Sequence, residues 1–124
     1  MKKTNIIITF QLEGFHHWAN APEEVAFLRD NHRHIFWFEV EKEVSHADRD
    51  IEIIMFKRRV QKFIEHTYTW RDENLQVNLI QFGQSSCEML AEKILDHFNC
   101  ERVKVMEDNE NGAVVYKITP QTLL

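Results

Sequence analysis

Hydrophobic and polar residues alternate in several stretches of the chain and recur at helical spacing in two others. Asn5 to Glu13 alternates and is rich in Ile and Phe, which predicts a strand. Gly14 follows, where the strand bulges or bends. Ala19 to Leu28 holds Asn20, Pro22 and a Glu pair and reads as a loop or a short helical turn. His32 to Val44 is a second, long strand. Ile35, Trp37 and Glu39 share one face and Phe36, Phe38 and Val40 the other, so both faces are partly apolar and both are expected to be covered. From Asp48 to Tyr68 the period changes. Ile51, Ile54, Met55, Val60, Phe63 and Ile64 recur near helical spacing, with Lys57, Arg58, Arg59 and Lys62 as the wet face and Ser45 or Asp48 as the cap.

Thr69 to Gly83 has no clear period; Leu75 to Phe82 is a short strand or an ordered loop. Ser85 or Ser86 caps a second helix that runs to about Phe98, with Met89, Leu90, Ile94 and Leu95 apolar. Arg102 to Glu107 alternates as a strand. Asp108 to Gly112 ends in the Asn-Gly hairpin signal, and Ala113 to Ile118 is the return strand. The order strand, strand, helix, helix, strand, strand describes an α+β fold, a four-stranded antiparallel sheet with both helices on one face.

The 124 residues suit one domain, 1–124. A formal net charge of -5 argues against a general nucleic-acid binder, which needs a basic face to neutralise phosphates. No apolar run approaches the roughly 18 residues of a membrane span. Met1-Lys2-Lys3 is basic, but Ile6 to Phe10 is too short for a signal-peptide core; a cytoplasmic location is expected. Cys87 and Cys100 are too few for a disulfide framework.

Among seven histidines, His32-Arg33-His34 is the sharpest local feature. Alternate strand residues point to one face, so the two imidazoles can converge on one metal ion. The plain alternative is two exposed histidines on a polar edge. His16 or His17, at the end of the first strand, supplies a third donor if the first two strands form a hairpin. A three-histidine set leaves a fourth position open, the pattern of a catalytic zinc, which acts as a Lewis acid on a substrate oxygen.

Four segments together resemble the 6-pyruvoyltetrahydropterin synthase family, which includes the bacterial 6-carboxytetrahydropterin synthases. Phe10-Gln11-Leu12-Glu13-Gly14-Phe15-His16 is similar to its Phe-x-Phe-x-Ala-Ala-His strand, and His32-Arg33-His34 to its His-Gly-His. Ser85-Ser86-Cys87-Glu88-Met89-Leu90-Ala91 is similar to its Pro-Thr-Ser-Glu-Asn-Leu-Ala, and Val103 to Glu107 to its Val-x-Val-x-Glu-Thr. The segments come in the family's order and span most of the chain. The resemblance implies the tunnelling fold, in which such sheets close into a barrel by oligomerisation, commonly a homohexamer of two stacked trimers. Closure would remove the two unpaired sheet edges and put substrate pockets where subunits meet.

The resemblance also implies zinc on His16, His32 and His34, and Glu107 as the carboxylate that accepts two parallel hydrogen bonds from a pterin. The implied activity is that of a carbon–oxygen lyase acting on 7,8-dihydroneopterin triphosphate, in pterin or queuosine (7-deazaguanine) biosynthesis. The sequence departs from the family in three places. The usual catalytic Cys, four residues before the first His of His-x-His, is Leu28. The Asp-His pair after the first helix has Glu65-His66 as its nearest counterpart, with Glu65 orienting His66 as a base. The Asp-Phe of the first helix is Met55-Phe56. These departures keep open a non-catalytic pterin- or purine-binding oligomer of the same fold, and a structural oligomer whose histidines are incidental. The other histidines have plain readings: His17 faces away, His46 lies on a surface loop, and His97 is near a helix C-terminus. Cys87 packs or caps a helix start. Lys57, Arg58 and Arg59 form a solvated helix face, or else receive a triphosphate or a neighbouring subunit.

Overall fold

A computed structural model describes residues 1–118. The β-rich opening forms two long strands, β1 (Thr4–His16) and β2 (His32–Val44). They pair antiparallel without a break, from Thr4 opposite Val44 to His16 opposite His32. Between them Glu23–Arg29 winds into a short 3-10 segment. The chain continues through α1 (Ile53–Tyr68), β3 (Thr69–Asp72), β4 (Val77–Ile80), α2 (Cys87–Phe98), β5 (Arg102–Glu107) and β6 (Asn111–Tyr116). The main sheet has the order β1-β2-β5-β6, with every neighbouring pair antiparallel. It is open, with β1 and β6 at its edges.

Period two decides what the sheet buries. Ile8 and Phe10 of β1, Phe36, Phe38 and Val40 of β2, and Val103 and Val105 of β5 face one way and are buried. Phe56, Val60 and Ile64 of α1 and Leu90, Ala91, Ile94 and Leu95 of α2 join them in one apolar cluster. The spacing of those helical residues gives each helix one inward stripe. The opposite sheet face, expected to be covered as well, is not covered by the described residues. Its rows Ile7–Glu41–Arg102–Tyr116 and Gln11–Trp37–Met106–Gly112 include exposed Ile7 and Tyr116. No helix among the described residues is long and apolar enough to cross a membrane.

Three local expectations are corrected, and one stretch left open is resolved. α1 begins at Ile53, and its cap is Glu52, whose carboxylate accepts from Ile54 N–H at 2.8 Å and Met55 N–H at 3.2 Å. Ser45 instead donates to Asp50. The unclear stretch after α1 forms a separate two-stranded ribbon, β3–β4. Gly14 makes no bulge, since the β1–β2 register runs straight through it. A Cβ there would lie 2.6 Å from a Phe82 ring carbon, so Gly14 makes room for an aromatic ring. The β5–β6 turn is carried by Asp108 and Asn109, both at positive φ, with Glu110 N–H donating to the Glu107 carbonyl at 2.9 Å. Asn111-Gly112 already lies in β6, where Gly112 lets β5 approach closely.

Candidate metal centre

The faces that build the core also build the site. His32 and His34 share parity with Phe36, and His16 shares it with Phe10, so all three imidazoles extend the buried face at one end of the sheet. His16 lies directly across from His32, and His34 lies across from Gly14. The ring centroids are 4.5 Å apart for His16 and His32, 5.0 Å for His32 and His34, and 5.3 Å for His16 and His34. The Phe36 ring supports two of them edge-on, 5.1 Å from His16 and 5.7 Å from His34. His16 is only 7% exposed.

Each imidazole is held through Nδ1. His16 Nδ1–H donates to the Ser85 carbonyl at 3.0 Å, His32 Nδ1–H to the Asp30 carbonyl at 2.8 Å, and His34 Nδ1–H to Asp108 Oδ2 at 2.6 Å. All three partners are acceptors, so they place the proton on Nδ1 and leave Nε2 with a lone pair. The three Nε2 atoms are buried and have no hydrogen-bond partner. One nitrogen from each ring lies within 4.8 Å of the others.

Glu107, the last residue of β5, adds a fourth acceptor. Its Oε2 lies 3.0 Å from His34 Nε2 and 3.8 Å from His16 Nε2, although neither nitrogen makes a hydrogen bond. Converging lone pairs with no donor among them repel, and a cation placed between them removes the repulsion. Imidazole nitrogens suit zinc, copper, iron or nickel, and acceptors on the far ring nitrogens are the usual support of metal-bound histidine. The donor set therefore fits a transition-metal cation. Glu107 is not among the groups whose ligand atoms all lie within 4.8 Å of one another, which suits a carboxylate at the side of the site.

A hollow of about 440 Å³ opens beside the triad, with His16, His32, Leu28, Cys87 and Glu107 in its wall. Leu28, where the resemblance would place a thiol, thus borders the same space. His17, expected to face away, also borders this hollow but is outside the triad. Cys87 is buried and its thiol donates to Glu107 Oε1 at 3.7 Å. Burial, with the Glu107 charge second, pushes its pKa up to about 12, so it stays a thiol at neutral pH. Burial also lowers the pKa of His16, against the opposing pull of Ser85 and Glu107. The Asp108 carboxyl is held below its usual range by the Ile35 N–H and then by His34.

Glu65 and His66 do not join this group within one chain. Both are exposed on α1, and His66 borders a different, shallow hollow with Arg59, Lys62, Phe63, His97 and Phe98. His97 stacks on Phe63, with centroids 4.0 Å apart. Sequence reasoning did not find Asp108 or the Ser85 and Asp30 carbonyls. Nothing local marks the two carbonyls; Asp108 is marked only by following Glu107 on a strand that pairs with β2.

No protein-family model matches the chain, and no curated protein matches it. Among solved structures the chain is similar to the crystal structure of uncharacterized protein WS1659 from Wolinella succinogenes. The two are 13% identical over 95% of this chain and 100% of that chain, with a TM-score of 0.58. At that identity the likeness shows the fold alone.

Proposed function

We propose that this chain is a zinc-dependent lyase of the 6-pyruvoyl- or 6-carboxytetrahydropterin synthase type, acting on 7,8-dihydroneopterin triphosphate in pterin or queuosine biosynthesis. The observation that carries the metal part is the set of three buried Nε2 lone pairs without partners. His16, His32 and His34 hold the zinc, which when bound polarises the substrate side-chain oxygens as a Lewis acid. The pterin part is supported by the sequence resemblance and by a carboxylate and a hollow beside the triad. Glu107 accepts hydrogen bonds from the guanidine-like edge of the ring and orients the substrate in the hollow. Glu65 and His66 move protons only if a neighbouring subunit delivers them, so this reading requires the barrel of several chains, a homohexamer of two trimers.

The second reading is a non-catalytic protein that holds a pterin or purine. Leu28 in the hollow wall, the protonated Cys87 and the placing of His66 on a different hollow favour it. Incubating the zinc-loaded protein with 7,8-dihydroneopterin triphosphate separates the two. Release of triphosphate or of a side-chain fragment, followed by chromatography and mass spectrometry, is the expected result. Retained ligand with no product would leave only the binder.

A further inference from the structure

Resting on the metal-site reading, we propose that Asp108 is the positioning residue of this centre, fixing which nitrogen of His34 faces the metal and tying metal affinity to the β5–β6 turn. The three histidines are not held alike. His16 and His32 donate to main-chain carbonyls, whereas His34 donates to a carboxylate. A carboxylate on the far nitrogen raises the donor strength of the ligand as well as orienting its ring.

Asp108 is itself locked. Its Oδ1 accepts from Ile35 N–H at 2.9 Å, and its own N–H donates to the Ile35 carbonyl at 2.8 Å. Both bonds grip the residue next to His34 on β2, so the carboxylate cannot turn away without giving up the Ile35 N–H. The position has φ +53, in the left-handed region that most non-glycine residues avoid. A glycine there would satisfy the turn, but it could not hold His34. The same turn ends β5 at Glu107. It therefore places one carboxylate at Nδ1 of His34 and another beside its Nε2.

Cobalt(II) titration of the full chain, read by its visible absorption, tests this with Asp108→Asn and Asp108→Gly. Asparagine tolerates positive φ. Its amide oxygen can keep the Ile35 N–H, which turns its NH₂ toward His34 Nδ1. An amide donor there favours the tautomer with the proton on Nε2, where the metal should bind. Cobalt affinity should fall by about 10–100-fold. Nitrogen-15 NMR of the metal-free protein should show His34 changing from the Nδ1–H to the Nε2–H form. Asp108→Gly keeps the turn and removes the acceptor, so it should also lose affinity, and it carries the test if the asparagine variant does not fold. Wild-type cobalt binding beside variants of unchanged affinity and unchanged tautomer overturns the inference alone. A wild type that takes up no cobalt overturns the metal reading and the inference with it.

Discussion

At the scale of single residues, strand parity singled out His32 and His34, left His16 or His17 as the third donor, and the resemblance chose His16. His32 and His34 lie two apart, and His16 shares parity with the buried face of β1, so pairing the two strands brings the rings together. Two things were not legible: which ring nitrogen is free, because for His16 and His34 that depends on the Ser85 carbonyl and the Asp108 carboxylate, both far along the chain, and the place of His66, because a helix face has no fixed relation to a strand end. Burial of His16 lets the sign of a pH effect be worked out. Its folded pKa lies below 6.5, so the folded state disfavours the charged ring. The stability it contributes is complete above 6.5 and is lost as pH falls from there through the lower folded value. Urea midpoints of the metal-free protein should decline over that interval, and less so for His16→Gln; equal slopes would contradict this. Cys87 should react slowly with a thiol reagent such as DTNB in the native state and fast once unfolded, since it is buried and protonated. Fast native labelling would contradict its burial. Leu28→Cys places a thiol in the hollow wall and should raise turnover of the family type. No change would count against the assignment of this hollow as the site.

At the scale of elements, those with a strong period were readable and those defined by packing or turns were not. α2 was legible to within a residue of its cap: of Ser85 and Ser86 it is Ser86 that caps, accepting from Met89 N–H at 3.2 Å. The start of α1 was displaced because Glu52 caps it, a residue type outside the preferred set. Of the β3–β4 ribbon only β4 was offered, as one of two readings of Leu75 to Phe82, because Trp70, Leu75 and Val77 are exposed and no buried face imposes a clear period. The Asn-Gly signal misled by three residues, because Asp108 and Asn109 take the left-handed positions themselves. Gly14 is a packing glycine that composition alone cannot distinguish from a bulge. Gly14→Ala would push a methyl toward Phe82, which packs on Phe36 beneath the histidines. It should cost about 1–3 kcal/mol, read as a drop in the urea midpoint, and loosen metal binding. An unchanged midpoint would contradict the close approach.

At the scale of the whole molecule, the mixed α/β architecture was legible because two hairpins flank two amphipathic helices. What lies beyond one chain was expected only through the resemblance. Both sheet edges are strands, and the face away from the helices carries Trp37 and Met106 beside the Arg102–Glu41 ion pair. Light scattering on the eluting protein should give the mass of six chains; a monomer would remove the barrel and the route by which His66 reaches a pocket. The three Nε2 atoms of His16, His32 and His34 are unpartnered and close enough to hold one cation. Crystals of protein purified without chelators, measured on both sides of the zinc absorption edge, test whether they do. The account predicts one anomalous peak per chain at about 2.0–2.1 Å from each of the three nitrogens. A map with no peak there, or with the peak on other residues, would contradict it.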